Sequence, residues 1–479
     1  MAHVIETDIC VIGGGSGGLS VAAGASQMGA RTVLIEKGLM GGDCLNYGCV
    51  PSKALLAAGH AAHAQAVSDA FGVASVEPSV DWVKVRDHVR GVIAAIAPHD
   101  SVERFEGLGV TVIQEHGRFT GPRQVQAGDT TINAKYVVVA TGSTAFVPPI
   151  DGLDGVPYWT NETIFENADP VDHLIVVGGG PIGMEMAQAH RRLGAKVTVI
   201  EMLRAFGKDD PEAAGLVLSR LRGEGIDIRE GTALKSVTKT GSGGVAATVE
   251  KDGQGETIEG SHLLIAVGRR ANVDGLDLDR AGIAHDRSGI TVDAHLKTTN
   301  RRVFAIGDVA GGYQFTHMAS YDAGIVIRQA LFKMFWAKVD HSAVPWVTYT
   351  DPELAHVGMT EKDADERLGR GNFQILRWSF AENDRAQAER QTDGLVKAIA
   401  DRKGRAVGCT IAGAHAGELI LPWVLAVQQK QKMGQLAGLI APYPTLSEVT
   451  KRTAGSYFTP SLFSEKTRKV VRVLMRWFS

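Results

Sequence analysis

Cysteine is scarce in this chain, net charge is small, and long apolar runs are missing. Four cysteines in 479 residues cannot form the framework of a secreted disulfide-rich protein, and a close pair elsewhere more often indicates catalysis or metal binding. The net charge of -3 comes from 53 acidic and 50 basic residues spread along the chain, which predicts no nucleic-acid partner. No stretch of about 18 apolar residues suggests a membrane-spanning helix.

The N-terminus also lacks the features of an export signal. Glu6 and Asp8 lie ahead of the first apolar run, and that run ends in glycines instead of a cleavage site. We therefore expect a cytoplasmic protein. Its length suffices for about three domains, and its 57 glycines exceed the usual share of about 7%. Many glycines are expected where backbone closely approaches another group.

A first glycine-rich turn has the setting of a dinucleotide site. The apolar strand 7–12 precedes Gly13, Gly15 and Gly18, a helical segment follows, and the next strand ends in Glu36. Gly13 permits the tight turn, Gly15 lets backbone approach a pyrophosphate, and Gly18 allows the helix to pack closely. Glu36 can accept hydrogen bonds from a ribose hydroxyl.

A second turn repeats this arrangement and predicts a second dinucleotide. Strand 173–177 leads into Gly178, Gly180 and Gly183, and strand 196–200 ends in Glu201.

The residues after the second turn bear on which nicotinamide nucleotide binds. Glu201 would repel a 2′-phosphate and accept hydrogen bonds from a free 2′-hydroxyl, which favours NAD(H) over NADP(H). Arg204 argues the other way, because an arginine three residues further on could reach that phosphate.

Two cysteines lie five residues apart between the turns, in GGDCLNYGCVPSK at 41–53. Cys44 and Cys49 are close enough to close a small disulfide ring, and a nearby helix N-terminus lowers a thiolate pKa. The alternative is that the two cysteines are buried thiols or half of a zinc site. A zinc site would need two further ligands, which the sequence does not supply. We expect an exchangeable redox pair and no metal site.

This segment resembles the active-site signature of the pyridine nucleotide-disulfide oxidoreductases, the family of dihydrolipoamide dehydrogenase and mercuric reductase. The resemblance extends over nearly all of residues 5–458. It implies an α/β fold with two Rossmann-like dinucleotide-binding domains and an α+β dimerisation domain. The further matching segments are Ala140-Thr141-Gly142, Ala266-Val267-Gly268-Arg269, Ala305-Ile306-Gly307-Asp308 and 347–353, which resembles the dimerisation domain's opening strand.

The resemblance implies a domain order. We expect an FAD-binding domain at 1–148 and 270–340, an NAD-binding domain at 149–269, an interface domain at 341–460 and a tail at 461–479. A homodimer is implied, because in the family the Tyr443 segment completes the partner's active site.

The family also implies residue roles. Cys49 would face the flavin and Cys44 would react with substrate. Lys53, one helical turn beyond Cys49, would approach the flavin and pair with Glu185. The motifs on the FAD side contribute Thr141, Gly142 and Asp308 to cofactor binding, and the motif on the nicotinamide side contributes Gly268. His317 lies at the start of a helix that is directed at the flavin.

One position departs from the family members that act on dithiols. They carry a His-Pro dipeptide followed by a glutamate, whereas this chain has Tyr443-Pro444 followed by Glu448. A phenol with a pKa near 10 cannot shuttle protons at neutral pH as imidazole does. A tyrosine here resembles mercuric reductase, although the vicinal cysteine pair that ends those enzymes is missing.

The sequence thus predicts NADH-dependent reduction, through FAD and the cysteine pair, of a disulfide, metal ion or related acceptor. Two alternatives stay open: a dihydrolipoamide dehydrogenase, and a membrane-associated redox-sensing flavoprotein with little turnover. The second arises from the tail, where Ser464 is an N-cap candidate and Val470, Leu474 and Trp477 share a helical face opposite arginines. Such a helix either lies on an anionic membrane or packs on the dimer's own surface.

Overall fold

A computed structural model describes residues 3–241 and 243–478. The ends of two predicted ranges, Met1 with Ala2 and Ser479, lie outside the described residues, as does Ser242. The chain divides into two compact units, which are described separately. The first comprises Met1–Leu203 and Asp227–Val339, and the second Arg204–Ile226 and Asp340–Ser479.

The first unit contains a mainly parallel sheet built around His3–Ile12, whose inner residues are fully buried. Continuous apolar strands of this kind are typical of sheets covered on both faces. In spatial order the parallel strands are Val110–Ile113, Thr32–Ile35, His3–Ile12, Thr130–Val139 and Val303–Ala305. Gln124–Ala127 and Gly117–Gly121 extend the sheet as an antiparallel hairpin beside Thr130–Val139.

A second parallel sheet in this unit carries the second glycine turn. Its strands are, in spatial order, Asp227–Glu230, Lys196–Glu201, His173–Val177 and His262–Ile265. A three-stranded antiparallel sheet follows, formed by Ala233–Lys239, Val245–Lys251 and Gln254–Gly260. Two short pairs complete the unit: Ser143–Ala145 with Arg269–Ala271, and His285–Asp286 with Gly289–Ile290.

The helices of the first unit follow the strands as Rossmann-like units require. They are Ser16–Gln27, Gly42–Asn46, Cys49–Ala66, Trp82–Ile96, Val102–Gly107, Pro181–Arg192 and Thr316–Ala330. The helices of the two glycine turns begin at Ser16 and Pro181, so the last glycine of each turn already belongs to its helix.

The second unit is an antiparallel sheet with helices, as the α+β prediction requires. In spatial order its strands are Pro345–Thr348, Glu353–Gly358, Ala406–Gly413, Leu395–Asp401 and Phe373–Ser379. Its core surrounds Trp423, which is fully buried. The helices are Pro211–Gly223, Glu361–Leu368, Asp384–Ala388, Ala416–Leu419, Leu421–Gln428, Met433–Ala437, Glu448–Ser456, Thr459–Leu462 and Glu465–Trp477.

Two details differ from expectation. The segment 347–353 is a hairpin between two strands instead of one opening strand, since Pro352 offers no N–H to a ladder. Helix Pro211–Gly223, inside the predicted range 149–269, groups with the second unit. Asp210 at its N-cap accepts a hydrogen bond from Lys397 at 2.8 Å, and both side chains are buried. The domain ranges themselves stay predictions.

Within the described ranges, no helix has the length and apolarity needed to cross a membrane.

Candidate active site

The two glycine turns have nearly the same backbone geometry. Gly13 has a φ of +112° and Gly178 a φ of +113°, a region that side chains rarely adopt. A Cβ on Gly13 would lie 2.3 Å from the carbonyl oxygen of Ala140, and one on Gly178 would lie 2.4 Å from that of Ala266. Each turn is therefore packed directly against a crossover segment, and only glycine fits there.

The last glycine of each turn brings its helix onto the turn. A Cβ on Gly18 would lie 1.8 Å from the Gly13 oxygen, and one on Gly183 would lie 2.0 Å from the Gly178 oxygen. The middle glycines are the N-caps of their helices, and neither N-terminus has a side-chain cap. These middle glycines are Gly15 and Gly180. Helix N-termini of this kind suit the pyrophosphate of a dinucleotide.

A carboxylate is held beside each turn. Glu36 accepts hydrogen bonds from the N–H groups of Gly14 at 2.5 Å and Gly38 at 2.6 Å. Glu201 accepts hydrogen bonds from the N–H groups of Gly179, in the second turn, at 2.7 Å and of Leu203 at 2.8 Å. Beside Glu36 a cleft is lined by Lys37, His116 and other residues. Both carboxylates thus lie where a ribose is expected.

The flavin-side motifs also come together. Asp308 accepts a 2.5 Å hydrogen bond from the Ser143 hydroxyl, and burial raises the pKa of this aspartate. Thr141 and Asn272 exchange side-chain to backbone hydrogen bonds of 2.8 and 2.9 Å.

Glycine forms the tight parts of both crossover segments, with φ of +67° at Gly142 and +138° at Gly268. Together with the uncapped helix at Gly15, these groups fit FAD: Glu36 would hold its ribose and Asp308 its ribityl chain.

The redox segment rests on the first glycine turn. Gly41 donates a backbone hydrogen bond to Gly14 at 2.9 Å, and a Cβ on Gly42 would lie 2.7 Å from the Cα of Gly15. Cys44 lies in the short helix Gly42–Asn46, and Cys49 is the first residue of helix Cys49–Ala66. No disulfide bond joins their sulfur atoms in this structure.

The two thiols differ in acidity. They share a hydrogen bond, which lowers the pKa of Cys49 to about 6, helped by the Thr316 hydroxyl at 3.6 Å and the charge of Lys53. The same hydrogen bond, together with burial, raises the pKa of Cys44. At neutral pH the negative charge therefore resides on Cys49.

Lys53 is held by a buried carboxylate. Its Nζ lies 2.8 Å from Glu185 Oε2, and the Glu185 side chain is only 6% exposed. The two helices that carry this pair approach closely at Gly59, where a Cβ would lie 3.3 Å from the Cα of Ala189. The ion pair thus joins the helix that Cys49 begins, through Lys53, to helix Pro181–Arg192, through Glu185.

His317 is the second residue of helix Thr316–Ala330, and its ring stacks on Phe315 with centroids 5.2 Å apart. The preceding residue, Thr316, contacts Cys49. The helix start therefore lies at the redox pair.

The other two cysteines are core residues. Cys10 and Cys409 are buried within strands, and burial raises the pKa of Cys10 to about 12 and that of Cys409 as well. Among the described residues, no group of three or more His, Cys, Asp or Glu side chains is arranged to hold a metal ion.

In the second unit, Tyr443 is 71% exposed and its hydroxyl donates a 2.8 Å hydrogen bond to Asp384. That bond raises the pKa of Tyr443, with a contribution from the charge of Glu448, which begins helix Glu448–Ser456. A tyrosine that shuttles protons at neutral pH would need a lowered pKa instead.

Comparison with known proteins matches this geometry to a family over most of the chain. The Pyridine nucleotide-disulphide oxidoreductase family matches residues 7–323, and the dimerisation domain of that family matches residues 344–454. The chain belongs to this family. Its members are FAD-containing oxidoreductases that use NAD(P)H, so this enzyme carries FAD and uses a nicotinamide nucleotide. The dimerisation domain supports a homodimer.

Relatives within the family include enzymes of two kinds. Mercuric reductase of Streptomyces lividans is 36% identical over 94% of this chain and 96% of that protein. Dihydrolipoyl dehydrogenase of Halobacterium salinarum is 34% identical over 94% and 95%. Among solved structures, the copper(II) complex of the HOCl-induced flavoprotein disulfide reductase RclA of Escherichia coli is similar with a TM-score of 0.83 and 27% identity, covering 93% of this chain and 99% of that one.

Sequence reasoning missed three residues that touch the proposed site residues. Thr316 contacts Cys49, Ser143 donates to Asp308, and Asp384 accepts from Tyr443. Ser143 follows directly after Thr141-Gly142, and Thr316 directly precedes His317, so proximity to a motif was the available signal. Nothing in the sequence pointed to Asp384.

The acidity of Cys49 predicts a pH-dependent spectrum. Anaerobic reduction with NADH should produce a long-wavelength thiolate-to-flavin charge-transfer band. Because the pKa of Cys49 is lowered to about 6, the band should be complete above about pH 7 and disappear as the pH falls through about 6. Absorbance titration measures this midpoint.

Two variants provide the control for this titration. Cys49→Ser should remove the band with FAD still bound, while Cys44→Ser should retain a band because the thiolate itself is unchanged. Survival of the band in Cys49→Ser would show that the thiols are assigned the wrong way round.

Proposed function

We propose that this enzyme passes electrons from NADH through FAD to the Cys44–Cys49 disulfide, and from the resulting dithiol to an acceptor that reacts directly with thiolates. A soft metal ion is the acceptor class that we favour. The observation that carries this proposal is Tyr443, which stands where dithiol-oxidising relatives have their acid/base histidine. Its hydroxyl donates to Asp384, and its pKa is raised.

The reaction is balanced at the cysteine pair. FAD, when bound, relays two electrons from NADH to the disulfide. At neutral pH the disulfide takes up these two electrons and one proton, which gives a Cys44 thiol beside a Cys49 thiolate. Cys44 and Cys49 then return both electrons to the acceptor, reform their disulfide and release that proton. Lys53, held by Glu185, places a fixed positive charge beside Cys49 that favours its thiolate.

A metal ion needs thiolates and no histidine, because metal binding itself displaces the thiol protons. Mercuric reductase of Streptomyces lividans acts by its name on such an ion, and the Escherichia coli neighbour forms a copper(II) complex. Cys10 and Cys409 are buried, so the acceptor would meet Cys44 and Cys49 only. In a homodimer, Tyr443 of the partner subunit would lie beside this pair.

Dihydrolipoamide dehydrogenase is the second candidate, supported by the 34% identical archaeal relative. It requires a base that takes the dithiol proton. General base catalysis is typically worth about 100 to 10,000-fold. A redox-sensing flavoprotein with little turnover is the third. NADH oxidation measured against a panel of acceptors separates the three.

Tyr443 provides the test of the acceptor. Wild-type turnover with dihydrolipoamide and NAD+ should fall about 100-fold or more short of a competent dehydrogenase, because base catalysis is missing. Tyr443→Phe should impair acceptor reduction while leaving flavin reduction by NADH nearly unchanged. Tyr443→His should raise lipoamide turnover.

The matched control is Tyr158→Phe, a change of the same kind at another exposed tyrosine, which should leave both reactions unaltered. If wild type turns over dihydrolipoamide at about hundreds per second, the upper part of the usual enzyme range, the enzyme is a dihydrolipoamide dehydrogenase instead.

We also propose NADH as the preferred donor. Glu201 accepts hydrogen bonds from two backbone N–H groups, which keep its carboxylate beside the second glycine turn. A 2′-phosphate would meet that charge. Stopped-flow reduction of the flavin should therefore give a higher catalytic efficiency with NADH than with NADPH, and Glu201→Gln should narrow the difference. Equal use of NADPH by wild type would contradict the proposal.

The tail supports a peripheral membrane contact, which we propose for helix Glu465–Trp477. Ser464 caps it by accepting a hydrogen bond from the Thr467 N–H. Val470, Val471, Leu474 and Trp477 share one face and are 46–79% exposed, so they are not packed against their own chain. Five basic side chains and one acidic side chain lie in the same helix. This combination fits an anionic lipid surface.

Vesicle sedimentation tests the tail. The homodimer should co-sediment with phosphatidylserine-containing vesicles at low salt, release as salt screens the basic residues, and ignore neutral vesicles. Leu474→Asp should abolish binding, while Arg402→Gln, which removes a basic residue elsewhere in the second unit, should not. If wild type stays in solution and deletion of 464–479 dissociates the dimer, the helix packs on the partner subunit instead.

A further inference from the structure

The segment that carries both redox cysteines, residues 43–49 and here called the redox loop, is held at two points from outside. Asn161 donates hydrogen bonds to Asp43 Oδ1 at 3.2 Å and to the backbone oxygen of Tyr47 at 3.1 Å. Arg269 forms an ion pair with the same Asp43 oxygen at 3.0 Å. Asn161 is 7% exposed, and the Arg269 side chain is 12% exposed. Hydrogen bonds and ion pairs made by side chains that are largely buried in this way are stronger than those on an open surface.

Arg269 is itself fixed by a second set of bonds. Its Nε donates to the Ser143 hydroxyl at 2.7 Å, and its terminal nitrogen donates to the Ser143 backbone oxygen at 2.8 Å. The Ser143 hydroxyl donates in turn to Asp308. The guanidinium therefore keeps its place on the crossover strand whatever happens to Asp43, and it presents a charge to the redox loop from a rigid support.

The charge of Asp43 reaches the thiols. After their mutual hydrogen bond and burial, the Asp43 carboxylate contributes to raising the pKa of Cys44 and opposes the lowering at Cys49. A carboxylate next to a nucleophilic cysteine works against thiolate formation. Arg269 lies 3.0 Å from this carboxylate and carries the opposite charge, so we expect it to offset part of the effect of Asp43 on the thiols.

We propose that Asp43 and Arg269 are positioning residues of the redox centre. Their ion pair, together with Asn161, fixes the redox loop and sets the local charge at the thiols. This inference rests on the proposed redox role of Cys44 and Cys49. Neither residue touches the acceptor in this scheme. Each acts through the cysteines.

The two charges act with opposite signs, and that is the basis of the test. The readout is the midpoint pH of the charge-transfer band in the NADH-reduced enzyme. Asp43→Asn keeps the size of the side chain and removes a negative charge, so the midpoint should fall. Arg269→Gln leaves the charge of Asp43 uncompensated, so the midpoint should rise. The double variant should return toward wild type.

FAD content and thermal unfolding identify variants that are merely misfolded. Asp129→Asn, the same substitution at an exposed turn of the first unit, should leave the midpoint unchanged. A purely structural role would move the midpoint in the same direction in both single variants, or in neither, and either result overturns the inference. Absence of the band in wild type would instead overturn the redox role of the cysteines, so the two failures are distinguishable.

Discussion

Close approach of backbone to backbone at glycine is the constraint on which the first unit depends. The helix of the first turn touches the turn itself, because a Cβ on Gly18 would lie 1.8 Å from the Gly13 oxygen. The redox segment then lies on that turn through Gly42 and Gly15. A single added methyl group at Gly13, Gly18 or Gly42 would separate elements that must meet. The distance between the thiols and the dinucleotide turn is thus set by main-chain packing, which is less adjustable than side-chain packing.

The same constraint appears again at the second turn, with nearly equal φ values and nearly equal clearances. Both turns also use a glutamate to tie the following strand to the turn. The two turns differ in the segment that packs against them. The redox segment rests on the first turn, which supports the proposal that this turn holds FAD and that the second binds a diffusible nicotinamide nucleotide.

The acidity of the two thiols depends on groups supplied from separate elements. Lys53 comes from the helix that Cys49 begins and is paired with Glu185 on the helix of the second turn, while Thr316 comes from a helix far along the chain. The hydrogen bond between the two thiols is the main cause of the lowered pKa of Cys49 and the raised pKa of Cys44, and Thr316 and Lys53 add to the lowering at Cys49. In the second unit, Asp384 has the opposite effect on Tyr443 and keeps the phenol protonated. In the proposed scheme the thiolate therefore forms within the redox pair, without a base supplied by this tyrosine.

The sequence by itself determined the two dinucleotide turns, the cysteine pair between them and the capped amphipathic tail. Each of these is a local pattern in which a glycine, a cap or a short cysteine spacing acts on its immediate neighbours. Only the tertiary structure decided the contacts of Cys49 with Thr316, of Asp43 with Asn161 and of Tyr443 with Asp384, which join residues 267, 118 and 59 positions apart. It also placed helix Pro211–Gly223 with the second unit, through a buried ion pair between Asp210 and Lys397. Such contacts have no signature along the chain, because a hydrogen bond requires only that two groups meet in space, and the fold alone determines which groups meet.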